Sequence, residues 1–518
     1  MLFNLSISNE IELVLIRQIT TNMHMLISIN IDSTPKSESI LSILLMFSSL
    51  YSIFNSTNFI VFLLINFESY SIIWKNFIED KMEKYFIYTY GCQMNVHESE
   101  KLAGMLETKG LKKAEKVDEA DVIVFNTCCI RESAEQKIMG NIGAIKPLKK
   151  KNKDIIVAVC GCMSQQKDKP MLLRKKFPFI NIIFGANNIE FFSDYLDEYN
   201  KEKKYLNKVI EGNYQEKEDG ISFVRDNKLY AYVNIMYGCN NFCTYCIVPF
   251  VRGREVSRHP DTIYREVKDL ISRGYKVITL LGQNVNSYGL DNNTGGVLFP
   301  KLLETIANFE GDFEVRFMTS HPKDISDDLI EVMARNDKIS KTLHLPAQSG
   351  SNTILKSMNR NYTVESYLEK IEKIKAKMPN ITLSTDIIVG FPGEGEEEYQ
   401  LTKKLLSTVR YHNAFIFMYS PRRGTVAEKM ENQVSIEEKH RRVNDLLKLE
   451  HEISDELFHN MVGSNQRVLV EGEVNEFLIA KAQCGKVVKI EKNESIHIGE
   501  FVYVKIVDYK SGDLIGKI

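Results

Sequence analysis

Short apolar runs and longer helical stretches alternate along residues 83–199. The apolar runs are rich in β-branched and aromatic residues, which predicts buried parallel strands. The stretch at 97–110 has the spacing of an amphipathic helix and ends in Gly110, a common stop signal. Strands that alternate with helices predict a doubly wound α/β domain. The four strand-like runs are YFIYTY, DVIVFNT, IIVAVC and INIIFG.

A second series of the same kind occupies residues 223–455, after the polar and charged segment 200–222, which we expect to be a linker. Six strand–helix repeats predict a partial parallel (β/α) barrel. A long amphipathic helix with an acidic start closes this series. The six strand-like runs are AYVNIMYG, KVITLLGQ, FEVRFMTS, KTLHLPAQ, TLSTDIIVGFPG and NAFIFMYS.

Residues 458–518 change to short alternating runs without helical stretches between them. Five such runs predict a small β-barrel of the OB type. The whole chain is therefore expected to be α/β, with a doubly wound part, a partial barrel and a terminal β-barrel.

Residues 1–81 have a different pattern, with seven acidic and four basic residues and no charge between Ser39 and Phe67. That uncharged run is long enough to span a bilayer, but Ser and Asn interrupt it and no Lys/Arg cluster sets an orientation. Met82 opens MEKYFIYTYGCQMN, which is typical of a protein start. We expect 1–81 to be a translated leader or a misplaced start; the alternatives are a membrane anchor or some other extension.

The chain has 518 residues, so several domains are expected. A formal net charge of −2 gives no strongly basic character that would announce a nucleic-acid partner. The nine cysteines are an odd number in a chain without a clear cleavable signal. This favours reduced thiols and metal ligation over a disulfide framework.

Three cysteines each follow a predicted strand of the first series, namely Cys92, Cys128 and Cys162. Loops after parallel strands meet at one edge of a sheet, so these thiols are expected to converge on a metal site. The alternative is that small buried cysteines simply pack well there. Cys129 and Cys160 lie next to them, and the sequence pattern does not decide which member of each pair faces the site.

Cys239, Cys243 and Cys246 form a tighter group, with the spacing C-x3-C-x2-C in one loop. Zinc in a structural site takes four ligands, and no fourth cysteine lies nearby. A cubane iron–sulfur cluster with three protein ligands leaves one iron open for a small chelating molecule. Iron also delivers an electron, which zinc does not.

This spacing, with Tyr245 before the last cysteine and with IVGFPGE at 388–394, resembles the radical S-adenosylmethionine enzymes. The motifs GCQMN, NTC, GCM, RGRE and LPAQSGS resemble the methylthiotransferases within them, over residues 83 to the end. The resemblance implies that S-adenosylmethionine contacts Tyr245, Gly390, Pro392, Gly393 and Glu394.

The resemblance implies two 4Fe-4S clusters. The first is catalytic: its thiolates come from Cys239, Cys243 and Cys246, and its open iron chelates S-adenosylmethionine, which one electron splits to a 5′-deoxyadenosyl radical. The second is an auxiliary cluster that holds the sulfur to be transferred. Its ligands are Cys92, Cys128 and Cys162, which leaves Cys129 and Cys160 as non-ligands. A cofactor must remove the strong C–H hydrogen on carbon 2 of adenine, because no side-chain base does so at neutral pH.

The implied function is tRNA modification: methylthiolation of carbon 2 of N(6)-isopentenyladenosine at position 37, using two S-adenosylmethionine molecules and cluster-bound sulfur. The terminal barrel resembles the TRAM module, which binds RNA. For a protein with this implied function we expect a cytoplasmic location, no membrane contact and a monomeric state. Its partners would be tRNA, a flavodoxin or ferredoxin as electron donor, and sulfur and cluster assembly proteins. The alternatives are a threonylcarbamoyladenosine or ribosomal-protein target, or a non-catalytic RNA-binding protein with structural zinc.

Overall fold

The structure is a computed structural model that describes residues 82–129, 132–214 and 222–518. For residues 132–134 it describes the backbone only. The extension at 1–81 lies outside the described residues. Residues 82–518 form one unit. Among the helices described, none has both the length and the apolar character that a bilayer crossing needs.

A six-stranded sheet lies at the start of the described chain, in the order β2-β1-β3-β4-β5-β6, with every neighbouring pair parallel. All side chains of β3 and β4 are buried, as expected for central strands that are covered on both faces. The strands are β1 (Lys84–Thr89), β2 (Lys112–Lys113), β3 (Val122–Thr127), β4 (Ile156–Gly161), β5 (Ile182–Phe184) and β6 (Leu206–Lys208).

Helices cover both faces of this sheet: α1 (Gln93–Thr108), α2 (Glu132–Ala144), α3 (Lys146–Lys151), α4 (Lys169–Lys176) and α5 (Phe192–Glu202). Leu102 of α1 and Leu196 of α5 belong to the core on one face, and Ile142 of α2 and Leu173 of α4 to the core on the other. The doubly wound prediction is confirmed.

The segment 200–222, expected to be a linker, differs from that expectation in its first part. Helix α5 continues to Glu202, and β6 pairs with β5 in the register Ile182↔Leu206. Leu206 is buried among the core residues of the sheet. Tyr205 and Val209 pack against the core on the other face of the sheet. A few apolar residues within a run of charges thus anchor a short edge strand, which is too weak a signal for a periodicity argument.

Two three-stranded parallel sheets follow, in the orders β11-β10-β7 and β12-β13-β14. Val315 of β11 makes a parallel bridge to Ile339, just before β12, so the two sheets continue as one open arc. Its strands are β7 (Tyr230–Asn234), β10 (Val277–Leu281), β11 (Glu314–Phe317), β12 (Thr342–His344), β13 (Thr382–Val389) and β14 (Asn413–Met418). The partial-barrel prediction is confirmed.

An antiparallel pair of two-residue strands, β8 (Met236–Tyr237) and β9 (Val256–Ser257), brackets the C-x3-C-x2-C loop. The short helix α6 (Val248–Arg252) lies inside this loop. Seven further helices follow in chain order: α7 (Pro260–Ser272), α8 (Phe299–Ala307), α9 (Asp327–Arg335), α10 (Asn352–Ser357), α11 (Val364–Lys377), α12 (Glu396–Val409) and α13 (Ile436–His459).

The last five strands close into a barrel in the order β15-β16-β17-β19-β18, as predicted. This barrel docks on the arc where the arc strands begin: Gln483 donates from Nε2 to Glu314 Oε2 at 2.7 Å, and Tyr230 hydrogen-bonds Glu471. Tyr230 and Glu314 are the first residues of β7 and β11. The barrel strands are β15 (Asn465–Val474), β16 (Phe477–Ala482), β17 (Val487–Glu491), β18 (Phe501–Lys510) and β19 (Asp513–Lys517).

Helix α1 joins the first sheet to the arc through buried charged side chains. Lys101 ion-pairs with Glu190 from the sheet side and donates to the hydroxyls of Tyr214 and Tyr237, at 3.2 and 3.1 Å. Tyr237 belongs to β8, next to the cysteine loop. Burial without partners would make this ammonium group costly, so the contact fixes how α1 sits against β8.

Replacing Lys101 by methionine is expected to lower the free energy of unfolding by about 3–5 kcal/mol, because the buried Glu190 carboxylate would lose the ammonium group with which it forms an ion pair. The measurement is urea unfolding of the metal-free, reduced protein. Lys109→Met is the matched control, since Lys109 pairs at the surface with Asp197 and should change stability by about 1 kcal/mol or less. Equal effects of the two substitutions would contradict this view of the interface.

Candidate functional site

Strand register brings three predicted cysteine ligands to one sheet edge. Thr89 of β1 pairs with Asn126 of β3, and Thr127 pairs with Gly161 of β4, so the three strands end in line. The cysteines follow directly: Cys92 is the N-cap of α1, Cys128 follows β3 and Cys162 follows β4. The backbone N–H of Cys162 donates to the Thr127 carbonyl at 2.9 Å.

Glycine is required on this edge because the loops approach one another closely. Gly91 has φ +118°, and a Cβ there would lie 2.8 Å from Cβ of Cys128. Gly161 has φ +94°, and its Cβ would lie 2.4 Å from the Thr127 carbonyl oxygen. These contacts explain why a glycine precedes both Cys92 and Cys162.

The Asn95 side chain, on the first turn of α1, connects the loop after β1 to the end of β3 by hydrogen bonds. Its Nδ2 donates to Asn126 Oδ1 at 3.0 Å and to the Thr127 carbonyl at 3.2 Å. The Cys92 thiol lies 3.5 Å from Asn95 Oδ1. Asn95 is the last residue of GCQMN, so the motif supplies both a thiol and the side chain that positions the next loop.

The adjacent cysteines have different surroundings. Cys160 is fully buried in the core that α1 and α5 cover, whereas Cys129 and Cys162 belong to the opposite core. A hydrogen bond from Cys129 and the charge of Arg252 lower the pKa of Cys162 to about 7. The same hydrogen bond raises the pKa of Cys129 well above its ordinary value. Cys129 therefore lies beside the trio, which the sequence did not resolve.

The second trio lies in the loop between β8 and β9. Gly238 has φ +72° and a Cβ there would lie 1.9 Å from the Arg254 carbonyl oxygen, so only glycine closes the base of the loop. The N–H of Cys239 donates to the Gly253 carbonyl at 3.1 Å, and the N–H of Cys246 to the Cys243 carbonyl at 2.9 Å. The loop thus folds back on itself and turns its thiols inward.

Contacts from the arc hold this loop in place. Thr244 donates its N–H to the Met358 carbonyl at 3.0 Å and its hydroxyl to the Ser357 carbonyl at 2.8 Å. Burial raises the pKa of Cys239 to about 11 and that of Cys246 to about 12, so both are neutral thiols in the metal-free protein. Ligation by a metal deprotonates such groups and offsets the cost of burying them.

A buried arginine faces each trio. Arg360 donates from Nη1 to Cys243 Sγ at 3.5 Å, and Arg252 donates from Nε to Cys162 Sγ at 3.2 Å. Arg252 also pairs with Glu98 of α1, through Nη1 and Oε1 at 2.5 Å. Sequence reasoning noticed RGRE as a motif but missed these contacts, because a guanidinium that meets a sulfur distant in the chain leaves no local pattern.

The predicted cofactor residues gather beside the second trio. Tyr245 packs edge-on against Phe391, with ring centroids 6.4 Å apart, and Phe391 lies within the loop after β13. Gly390 has φ +70°, with its Cα against the Lys439 side chain, and Gly393 has φ +84°, with open space where a Cβ would be. Pro392 between them is buried.

Glu394 has partners of its own in this loop. Its Oε1 accepts from the N–H of Gly390 at 2.7 Å and from Arg442 at 2.6 Å. Its Oε2 is buried without a hydrogen bond. Glu394 therefore shapes the turn and leaves one oxygen available; contact with a cofactor stays a prediction.

A cavity of about 670 Å³ extends inside the arc toward the first cysteine trio. Thr89 and Ser99 line the end near Cys92, and Arg316, His344 and Ser384 line the strands. Lys481 of the terminal barrel lines the other end. All three parts of the described chain contribute to this cavity.

The donor set fits iron–sulfur clusters. Each trio offers two buried thiols and one half-buried thiol, with a guanidinium facing one of the sulfurs, and thiolates are the usual cluster ligands. Within the described residues, no group of three or more His, Cys, Asp or Glu side chains forms a site for a single metal ion.

Comparison with protein families divides the chain into three matches. Residues 84–185 match the uncharacterized protein family UPF0004, residues 233–406 the radical SAM superfamily and residues 459–518 the TRAM domain. Radical SAM proteins use S-adenosylmethionine and a 4Fe-4S cluster. These matches coincide with the sheet, the arc and the terminal barrel.

Curated relatives are similar over nearly their whole length. A Clostridium botulinum (strain Langeland) protein named tRNA-2-methylthio-N(6)-dimethylallyladenosine synthase is 51% identical over 442 residues, which is 84% of this chain and 96% of the relative. Proteins of the same name from Clostridium beijerinckii and Thermoanaerobacter sp. (strain X514) are each 47% identical, over 85% and 86% of this chain and 96% and 95% of the relatives.

Among solved structures, the radical S-adenosylmethionine methyltransferase TsrM from Kitasatospora setae, with cobalamin and a 4Fe-4S cluster bound, is similar with a TM-score of 0.51. The match covers 67% of this chain and 74% of that one at 11% identity. At this identity the similarity concerns the fold alone.

Proposed function

Because the chain belongs to the family of tRNA-2-methylthio-N(6)-dimethylallyladenosine synthases, which are radical S-adenosylmethionine methylthiotransferases, we propose that it methylthiolates carbon 2 of N(6)-isopentenyladenosine in tRNA. The observation that carries the proposal is 51% identity over 96% of a relative with that name. The relatives do not favour a threonylcarbamoyladenosine or ribosomal-protein target, nor a non-catalytic zinc protein.

We propose that Cys239, Cys243 and Cys246 hold the cluster that binds S-adenosylmethionine. The neighbouring residues Tyr245, Gly390, Pro392, Gly393 and Glu394 would line the cofactor. When bound, the cluster and S-adenosylmethionine supply the radical that removes the adenine hydrogen. Open space beside Gly393 and the unpaired Oε2 of Glu394 support this assignment, because a ligand with amino groups could approach both.

A second, auxiliary 4Fe-4S cluster on Cys92, Cys128 and Cys162 belongs to the same proposal. Three in-line strand ends and two obligatory glycines support it, since they bring the three thiols to one edge without strain. Cys129 would stay a thiol beside the trio, donating to Cys162 in the metal-free protein.

We propose that the target nucleoside enters the cavity inside the arc. The cavity borders Thr89, beside the auxiliary trio, and Met318, which packs in one apolar cluster with Cys92 and Tyr237. With the nucleoside bound there, the walls of the arc would shield it from part of the bulk water. Arg316 and His344 offer polar contacts along the wall.

The outer face of the terminal barrel offers a surface for the tRNA strand. In the strand register, Asn465 of β15 pairs with Lys505 of β18, and Lys505 pairs with Lys517 of β19. Tyr503 lies on the same face of β18 and is 71% exposed. An exposed aromatic ring beside lysines suits base stacking with phosphate contacts.

Further partners follow from the chemistry. A one-electron donor such as flavodoxin or ferredoxin would reduce the radical cluster, and sulfur and cluster assembly proteins would load both sites. The proposed place of action is the cytoplasm, where tRNA is modified, and the proposed state is a monomer.

Deleting the gene should remove the 2-methylthio nucleoside from cellular tRNA and leave its isopentenyl precursor in excess. Mass spectrometry of digested tRNA measures both. The gene with Cys243→Ala should fail to restore the product, whereas Cys160→Ala, which changes a core cysteine that is not a predicted ligand, should restore it. An unchanged nucleoside profile in the deletion strain would refute the proposed target.

Anaerobic reconstitution should load about eight iron atoms per chain, corresponding to two 4Fe-4S clusters. Alanine at Cys92, Cys128 and Cys162 together should leave about four, and so should alanine at Cys239, Cys243 and Cys246. Cys129→Ser and Cys160→Ser are the controls and should keep the full content. Loss of iron in the Cys129 variant would make this residue a ligand.

Replacing Tyr503 and Lys505 together by alanine should weaken tRNA binding by about tenfold or more, because base stacking alone contributes about 1–3 kcal/mol per base. Filter binding at several salt concentrations measures the affinity and the number of phosphate contacts. Lys492→Ala is the matched control, since this lysine of the same barrel pairs with Glu473. Wild-type affinity in the double variant would place the tRNA elsewhere.

A further inference from the structure

Arg252 is the side chain that joins the two predicted cluster sites. It is the last residue of α6, and only five residues separate it from Cys246 of the radical trio. Its Nε–H donates to Cys162 Sγ of the auxiliary trio at 3.2 Å. One short helix therefore connects a thiol of one site to a thiol of the other.

The guanidinium of Arg252 is almost fully buried, at 4% exposure, and Glu98 opposite it is 1% exposed. Nη1 lies 2.5 Å from Glu98 Oε1 and Nη2 lies 3.3 Å from Glu98 Oε2, so the pair is bidentate. This fork fixes the plane of the guanidinium and aims its third donor, Nε–H, at the sulfur.

Burial makes the electrostatic effect of this contact large. A positive charge or a hydrogen bond at a ligand sulfur stabilises the more negative, reduced form of an iron–sulfur cluster and raises its reduction potential. Glu98 acts in the opposite direction, because its carboxylate compensates the charge of the guanidinium. The two residues of one ion pair should therefore shift the potential in opposite senses.

We propose that Arg252 is a positioning residue of the auxiliary cluster, which holds Cys162 toward the radical-cluster loop and raises the reduction potential of the auxiliary cluster. This inference rests on the proposed function, since it requires the auxiliary cluster to exist. A salt bridge with a structural role alone would hold α6 to α1 and would have no directed effect on the potential.

The test uses the full chain with Cys239, Cys243 and Cys246 replaced by alanine, so that the auxiliary cluster is the one observed. Iron content is measured first, and the potential is then determined by titration with dithionite and redox mediators, followed by electron paramagnetic resonance. The variants in this background are Arg252→Met, Arg252→Lys and Glu98→Gln. Arg360→Met is the matched control, a buried arginine that faces the absent thiol of Cys243.

Arg252→Met should lower the ratio of reduced to oxidised cluster at a fixed potential by about tenfold, and Glu98→Gln should raise it. Arg252→Lys, which keeps the charge and loses the fork, should lie between wild type and Arg252→Met. Arg360→Met should leave the ratio unchanged.

Shifts of the same sign in Arg252→Met and Glu98→Gln, or no shift in either, would overturn the inference. Failure of the parent protein to bind about four iron atoms would instead refute the auxiliary cluster itself. If Arg252→Met fails to load iron, Arg252→Lys and Glu98→Gln still decide the matter, because both keep a polar side chain at the interface.

Discussion

The buried face of α1 is the constraint on which the arrangement of the two sites depends. Cys92 caps this helix, Asn95 connects the loops of the first trio, Glu98 pairs with Arg252 and Lys101 bonds Tyr237. Each step of about one helical turn contributes one contact, and the contacts of Glu98 and Lys101 reach across to residues in and beside the cysteine loop. Burying a charged group costs desolvation free energy unless its partner is present. The sheet and the arc are therefore held in the one relative placement that brings all of these partners together.

Much of the fold follows from local sequence pattern. The run DVIVFNT became β3 within one residue, because a strand buried on both faces must be apolar along its length. The run TLSTDIIVGFPG became β13, which ends at Val389, before the last four residues of the run, and only its alternate residues are buried. The convergence of Cys92, Cys128 and Cys162 was predictable from topology alone, since parallel strands end at the same edge. Strand β6 was not predictable from the sequence, because it has three residues and only Leu206 is buried, which is too short for an alternating pattern.

The finer parts of the site were beyond sequence reasoning for a physical reason. Arg252 and Arg360 contact sulfurs 90 and 117 positions away in the chain. The first contact depends on how the sheet docks on the arc, and the second on how distant segments of the arc pack together. The surroundings of Cys129 and Cys160 depend on which side of the sheet each faces, and this required the register. By contrast, the sequence showed Gly91, Gly161 and Gly238 directly before predicted ligand cysteines. The structure adds the reason, which is that a Cβ at each position would clash with a neighbouring segment of the chain.

The terminal barrel docks where the arc strands begin, whereas Cys239 and the Gly390–Glu394 loop lie where β8 and β13 end. Strand β13 has eight residues, which corresponds to a span on the order of 25 Å at about 3.3 Å per residue. The terminal barrel and the loops that hold the cysteines and the predicted cofactor residues are therefore separated by a fixed length of sheet. An RNA bound on the barrel, as proposed, would reach the cysteine loop only if its reactive base lies about that same length from the bound segment.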